Sequence, residues 1–257
     1  MSEASKSASD FCFRLEFVKN RILFEDSDLM IIDKPAGLAA HGDKHHDTEE
    51  TLIALVRQHL MDAKSEPAFV HRLDKETSGL MIVAKTKEAL RMLNRQLRFK
   101  KIIKTYLALL DGEIKPKGSI RLALKKEMDR KRWLAIMVPA SAGGQHAQTD
   151  YQRTDLFDYQ ERKFSLVVAH PKTGRTHQLR AHFAALRCPI AGDDIYGRVE
   201  MNSILRTELG LPRMLLHAQR LQFEHPTTQE IMDLEAKLPA DFDAFLARLR
   251  RKPSRLD

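Results

Sequence analysis

The chain has 257 residues, 43% hydrophobic and 30% charged, with 43 Lys plus Arg against 35 Asp plus Glu and a formal net charge of +8. This length suffices for one large or two modest domains, and the composition excludes collagen, low-complexity disorder and coiled coil. The basic balance suits a polyanionic partner such as nucleic acid. No apolar run reaches the roughly 20 residues of a membrane span. The opening MSEASKSASD lacks an apolar signal core, and two cysteines, Cys12 and Cys188, build neither a zinc knuckle nor a disulfide framework. A cytoplasmic protein is the expectation.

Residues 1–19 read as a flexible leader. Ile22 to Phe24 and Leu29 to Ile32, parted by the turn cluster EDSD, predict a hairpin. Lys34-Pro35-Ala36-Gly37 ends the second strand. Asp47 and Glu50, at capping-box spacing, predict a helix over about 48–61 with Leu52, Leu55, Val56 and Leu60 on one face. LMIVA (80–84) reads as a buried strand. Thr86 caps a helix over about 87–98, with Glu88 in its first turn and Ala89, Leu90, Leu93 and Leu97 as its apolar stripe. Strands are predicted at 103–110, 119–124, 132–138, 147–153, 164–169 and 215–223. Helices are predicted at about 176–186 and 241–250. The excess of strands over helices favours an α+β fold with a mixed, mostly antiparallel central sheet and flanking helices and loops. No Gly/Ser linker divides residues 20–257.

Three segments are denser in functional groups than a structural element requires. His71-Arg72-Leu73-Asp74-Lys75-Glu76-Thr77-Ser78-Gly79 is a charged loop carried on a rigid strand, where function often sits; a solvated turn is the plainer reading. Pro171 to Arg180 brings a Thr-Gly turn into a helix that Thr176 could cap, with His177 and Arg180 three apart on one face and a helix N-terminus suited to phosphate. Lys104-Thr105-Tyr106 sets a phenol on a strand, where it serves as a half-buried β residue or stacks on a base. His41, His45 and His46 cluster without a ligand spacing and read as a polar loop. The run Lys125 to Arg132 is a solvated turn or a track for phosphates. No phosphate-binding glycine loop and no serine-hydrolase elbow is present.

Together these segments resemble the RluA-type pseudouridine synthases. HRLDKETSG (71–79) matches the family's catalytic signature and KTYLALLDG (104–112) its tyrosine motif. PKTGRTHQLRAHFAALRCPIAGDDIYG (171–197) matches the arginine motif with the Gly-Asp-x-x-Tyr-Gly that follows. LLHAQRLQFEHP (215–226) and LMIIDKPAGLAAHG (29–42) complete five motifs in order, from about residue 20 to the C-terminus. The resemblance implies the pseudouridine synthase catalytic fold over 20–257 and isomerisation of uridine in RNA, in which the bond to the ring nitrogen breaks, uracil turns, and ring carbon 5 joins the sugar. It implies Asp74 as the essential carboxylate, Tyr106 stacked on the target base, and Arg180 paired with Asp74 to keep it ionised and aimed. Arg72 would fill the gap left by the extruded uridine, and Leu216, or Leu215, would pack beneath the base. His71, Thr77, Arg175 and His177 join the substrate-binding set. No metal and no cofactor is implied. The expected partner is RNA, 23S ribosomal RNA first and transfer RNA second, bound by a monomer without membrane contact.

The roles are physically coherent. An Arg partner opposes the neutralisation of a carboxylate in a dry pocket, and its planar fork fits bidentately. Extruding a base costs a few kcal/mol, offset by stacking and by a substituting side chain. Some 20 residues before the first strand are too few for the accessory RNA-binding module that many ribosomal relatives carry. The expectation is therefore binding through the catalytic domain alone, or a natural chain longer than this one. Two competitors stand beside this reading. A catalytically silent RNA-binding protein would have lost Asp74, Tyr106 or Arg180. A glycosidase using Asp74 with Glu76 would need a sugar-binding aromatic pattern, and Trp133 is the sole tryptophan.

Overall fold

The structure, a computed structural model, describes residues 16–42, 51–60, 66–130 and 132–251. Asp47, Glu50, His45, His46 and most of the expected leader lie outside these residues. The chain divides into two compact units, Met1–Ile102 with Arg220–Ala236 and Ile103–Gln219 with Lys237–Asp257.

In the first unit β1 (Ile22–Glu25) and β2 (Leu29–Lys34) form the predicted antiparallel hairpin. Its turn is held by Asp26, whose carboxylate accepts from the backbone N–H groups of Asp28 and Leu29. The helix after it, α1 (Leu52–His59), is capped by Thr51, whose hydroxyl accepts from the Ala54 N–H. β3 (Ala68–Phe69) pairs with β4 (Ser78–Ala84), and β4 pairs with β2, setting Lys34 opposite Gly79. Every residue of β4 is buried, as LMIVA predicts. Thr86 caps α2 (Lys87–Arg98) through the Ala89 N–H at the predicted boundary. Ala89 and Leu93 of this helix pack on Leu29, Ile31, Leu80 and Ile82.

The second unit holds β5 (Ile103–Asp111), β6 (Lys117–Arg121), β7 (Leu124–Asp129), β8 (Leu134–Pro139), β9 (Gln148–Tyr159) and β10 (Arg162–Pro171). Antiparallel pairing orders them β5–β10–β9–β6, while β7 and β8 pair in a sheet of their own. The predicted strand at 119–124 is thus two strands broken at Leu122–Ala123, and the expected solvated turn at 125–132 is largely strand. Helices α3 (Gln178–Ala185), α4 (Val199–Leu209) and α5 (Ala240–Arg251) complete the unit; α4 was not predicted. β11 (Leu216–Glu224) starts here and ends in the first unit, where β12 (Ile231–Glu235), also unpredicted, pairs with it.

Side-chain alternation separates two faces in the second unit. Leu107, Leu109, Phe164, Leu166 and Leu215 join Leu205, Phe242 and Phe245 in one core cluster, so α4 and α5 cover that face. Tyr106, opposite Ala169, and Tyr151, opposite Ala169 on the other side, therefore line the opposite face. Helix α3 covers part of this second face, with Phe183 edge-on to Tyr151 at 5.9 Å.

Candidate functional site

The two units carry different parts of the candidate machinery. In the first, the loop before β4 presents Asp74. The β2–β4 register brings the LysProAlaGly turn beside it, and the turn clamps it: the Lys75 carbonyl accepts from the Gly37 N–H at 2.9 Å and from Lys34 Nζ at 3.0 Å. Lys34 is fully buried, and its ammonium also donates to the carbonyls of Pro35 at 2.8 Å and Leu38 at 2.9 Å. The Thr77 N–H closes the loop on the Asp74 carbonyl at 3.1 Å. Val70 and His71 tie its start to β4, through the Ile82 carbonyl and the Ile82 N–H respectively. The loop is therefore rigid at both ends. Leu73 and Thr77 are buried, Asp74 and His71 are half-buried, and Arg72 is exposed. Replacing Lys34 with Met keeps the stem and removes the ammonium from these carbonyls. Lys34→Met is expected to cost about 2–4 kcal/mol in urea unfolding, with activity falling as the loop loosens. An unchanged midpoint would contradict the clamp.

His41 lies edge-on to Phe69 at 5.0 Å, and burial, with the cations Arg72 and Arg57, pulls its pKa down. Asp26, Asp28 and His225 are close enough to share a metal, yet their atoms already have structural partners. Asp26 accepts from the turn, Asp28 accepts from the Thr227 hydroxyl, and His225 bonds Asp26 and the Thr228 N–H.

In the second unit Arg180 is 5% exposed on α3. It makes a bidentate pair with Asp193, Nε to Oδ2 at 2.7 Å and Nη2 to Oδ1 at 2.9 Å. Asp193 also accepts from the N–H groups of Ile195 and Tyr196. Burial alone would raise the Asp193 carboxyl; Arg180 and these N–H groups outweigh it and hold the carboxyl below its ordinary value. Gly192, at φ +79, permits this turn, since a Cβ there would collide with the Arg213 carbonyl. Sequence reading quoted Asp193 within a motif and gave it no role.

Helix α3 starts at Gln178, not at 176, and Thr176 does not cap it. The N-cap is His177, left-handed at φ 50, and the turn is closed instead by Gln178. The buried Gln178 side chain accepts from the Thr173 hydroxyl and the Arg175 N–H, and donates to the Gln148 carbonyl and Thr149 Oγ1. His177 is thus outside the helix face that it was expected to share with Arg180. Both still meet on Tyr196: His177 Nδ1 lies 3.0 Å from its hydroxyl, and the guanidinium carbon of Arg180 lies 5.2 Å from its ring centre. Arg175 is exposed, with Nε donating to the His146 carbonyl.

Tyr106 is 8% exposed and faces the α3 side of its sheet. Leu215 belongs to the core on the opposite face, and the adjacent Leu216 opens β11 as a buried residue. Lys104 shares the face of Tyr106 by alternation, and burial pulls its amine pKa down.

A family model described as RNA pseudouridylate synthase matches residues 28–185, which span the Asp74 loop, Tyr106 and Arg180. The chain belongs to the RNA pseudouridine synthase family. It is therefore an isomerase that converts uridine to pseudouridine in RNA. This synthase is 35% identical to ribosomal large subunit pseudouridine synthase D of Nitrosomonas europaea, across 97% of its own length and 71% of the relative's. It is 37% identical to ribosomal large subunit pseudouridine synthase C of Pasteurella multocida, across 92% and 70%. It is also 37% identical to tRNA pseudouridine synthase C of Haemophilus ducreyi, across 84% and 90%. Among solved structures, human RNA pseudouridylate synthase domain containing 4 matches with a TM-score of 0.72 and 28% identity, covering 96% of the synthase and all of that chain.

Proposed function

We propose that the synthase isomerises specific uridines of 23S ribosomal RNA, with residues 20–257 acting as one catalytic domain in a cytoplasmic monomer. The supporting observation is the Asp74 loop, a half-buried carboxylate on a segment clamped by Lys34 and Gly37. Asp74 acts on the flipped uridine. Arg180, oriented by Asp193 on one edge of its guanidinium, holds Asp74 with the other edge in the RNA complex. Tyr106 stacks on the base and Leu216 packs beneath it. Arg72 fills the vacated place in the RNA stack. His71, Thr77, Arg175 and His177 line the substrate path, and Lys104 meets a phosphate. The bond to ring nitrogen 1 breaks, the ring turns, carbon 5 bonds to the sugar, and the proton lost from carbon 5 is matched by one gained at nitrogen 1. Atoms are conserved, so neither a redox partner nor water is consumed.

Names of two relatives above support a ribosomal target, and that of the Haemophilus ducreyi relative supports transfer RNA as the second reading. The purified synthase, incubated with ribosomal and transfer RNA from cells lacking its gene, is expected to add pseudouridine to large-subunit RNA only. Modification of transfer RNA alone would overturn the target. Phosphate contacts should dominate affinity. The slope of log affinity against log salt is expected near −3 or steeper, at about −0.7 per phosphate neutralised on a single strand. A flat response would contradict a basic RNA-binding surface.

A further inference from the structure

The hairpin of β7 and β8 stands outside the main sheet and ends in a tip of unusual chemistry. Its base is anchored to the Arg180 region: Met137 packs with Leu124, Ala147 and Ala181, and its N–H donates to the Tyr196 hydroxyl at 2.8 Å. Arg132 Nη1 donates to the Ile195 carbonyl at 2.7 Å. Beyond this base the apolar surface is open. Trp133 is 85% exposed, and Met128 is 59% exposed. Trp133 also has φ +52, a conformation uncommon for a bulky residue. Residues 124–133 hold five cationic side chains and two acidic ones. Lys125 pairs with Glu127 and Arg132 lies near Asp129. Lys126 and Arg130 are exposed and have no partner among the described residues. An indole left in water on a hairpin that also carries two unneutralised cations, Arg130 near the tip and Lys126 opposite Met137, gains nothing for the fold. It matches what single-stranded nucleic acid requires, a ring for a base and cations for the adjoining phosphates.

We propose that Trp133 stacks on an unpaired base of the RNA, outside the catalytic pocket, while Lys126 and Arg130 meet the phosphates beside it. The inference rests on the proposed RNA-modifying function and adds to it: the hairpin selects sites where an unpaired nucleotide accompanies the target uridine. A blunt duplex has no free base face to offer and binds this hairpin through charge alone.

Trp133 is the sole tryptophan, so indole fluorescence of the full chain reports on this one residue. The probes are a short single-stranded RNA of mixed sequence and the blunt duplex formed with its complement, each brought to saturation as followed by anisotropy. The single strand is expected to quench the indole and shield it from acrylamide, and the duplex is expected to do neither. Trp133→Ala is expected to weaken single-strand binding about tenfold and Trp133→Phe about twofold. Both substitutions are at an exposed position, and unchanged circular dichroism confirms that they fold. Saturated single-strand binding without quenching overturns the proposal. So does equal quenching by the duplex, or a Phe variant as weak as the Ala variant. Shielding that grows with protein concentration in the absence of RNA assigns Trp133 to a second copy and also overturns it. Pseudouridine formation by the same wild-type preparation is assayed in parallel. Activity without quenching defeats the stacking alone, and quenching without activity defeats the catalytic reading alone.

Discussion

Asp74→Asn is expected to lower the rate of pseudouridine formation at least about 10³-fold while leaving RNA affinity within a few-fold. The substitution is nearly isosteric. The loop is fastened by the N–H groups of Gly37, Val70 and Thr77, by the Lys34 ammonium on the Lys75 carbonyl and by the His71 ring on the Ile82 N–H. The variant should therefore fold and bind, and lack only the acid that acts on the uridine. Single-turnover assays with filter binding separate the two effects. Full activity would remove Asp74 from the chemistry. Equal loss of activity and affinity would make it a binding residue. The silent RNA-binding reading expects no activity from either protein.

The second large effect concerns a residue that sequence reasoning passed over. Asp193→Ala takes away the bidentate acceptor of a guanidinium only 5% exposed. It also strips the N–H groups of Ile195 and Tyr196 of their acceptor. Breaking a buried pair from one side is expected to cost about 3–5 kcal/mol in chemical denaturation, and activity should fall with the loss of Arg180 orientation. Asp193→Asn keeps the shape and one acceptor oxygen, and should recover part of that loss. The pH dependence follows from the depressed carboxyl. Asp193 contributes stability that is fully present above the unfolded value near about pH 4 and is lost as pH falls through its lower folded value. The stability gap between wild type and Asp193→Asn should therefore narrow below about pH 4. A gap independent of pH would contradict an ionised Asp193.

The legible parts of the fold were those where local chemistry and packing agree. Thr86 and the Ala89–Leu93 stripe specify α2 to the residue, because cap and apolar face fall in one register. The five motifs likewise specified the family. Helix α4 escaped because its buried face includes Asn202, whose amide donates to the Asp193 carbonyl and accepts from the Gly192 N–H. A polar residue in the buried register hides an amphipathic helix. β7 escaped because LKKEMD carries no alternation; the strand exists through backbone pairing to β8, and most of its side chains face water. The α3 start was misplaced because Gln178 closes the turn through tertiary partners at Gln148 and Thr149, thirty positions away in the chain. Asp193 was visible as the acid of the Gly-Asp-x-x-Tyr-Gly motif, but nothing local gave it a partner or set its role apart from that of Asp194. The difference is burial: Asp193 is 1% exposed in its pair with Arg180, while the Asp194 carboxylate meets Arg206 in solvent.

The most direct measurement is a transcriptome-wide pseudouridine map of three strains: one lacking the gene, one complemented with wild type, and one complemented with Asp74→Asn. At least one site in large-subunit ribosomal RNA should be empty in the first, restored in the second and empty in the third. A site restored equally by the Asn variant, or maps identical in all three strains, would contradict a uridine isomerase working through Asp74.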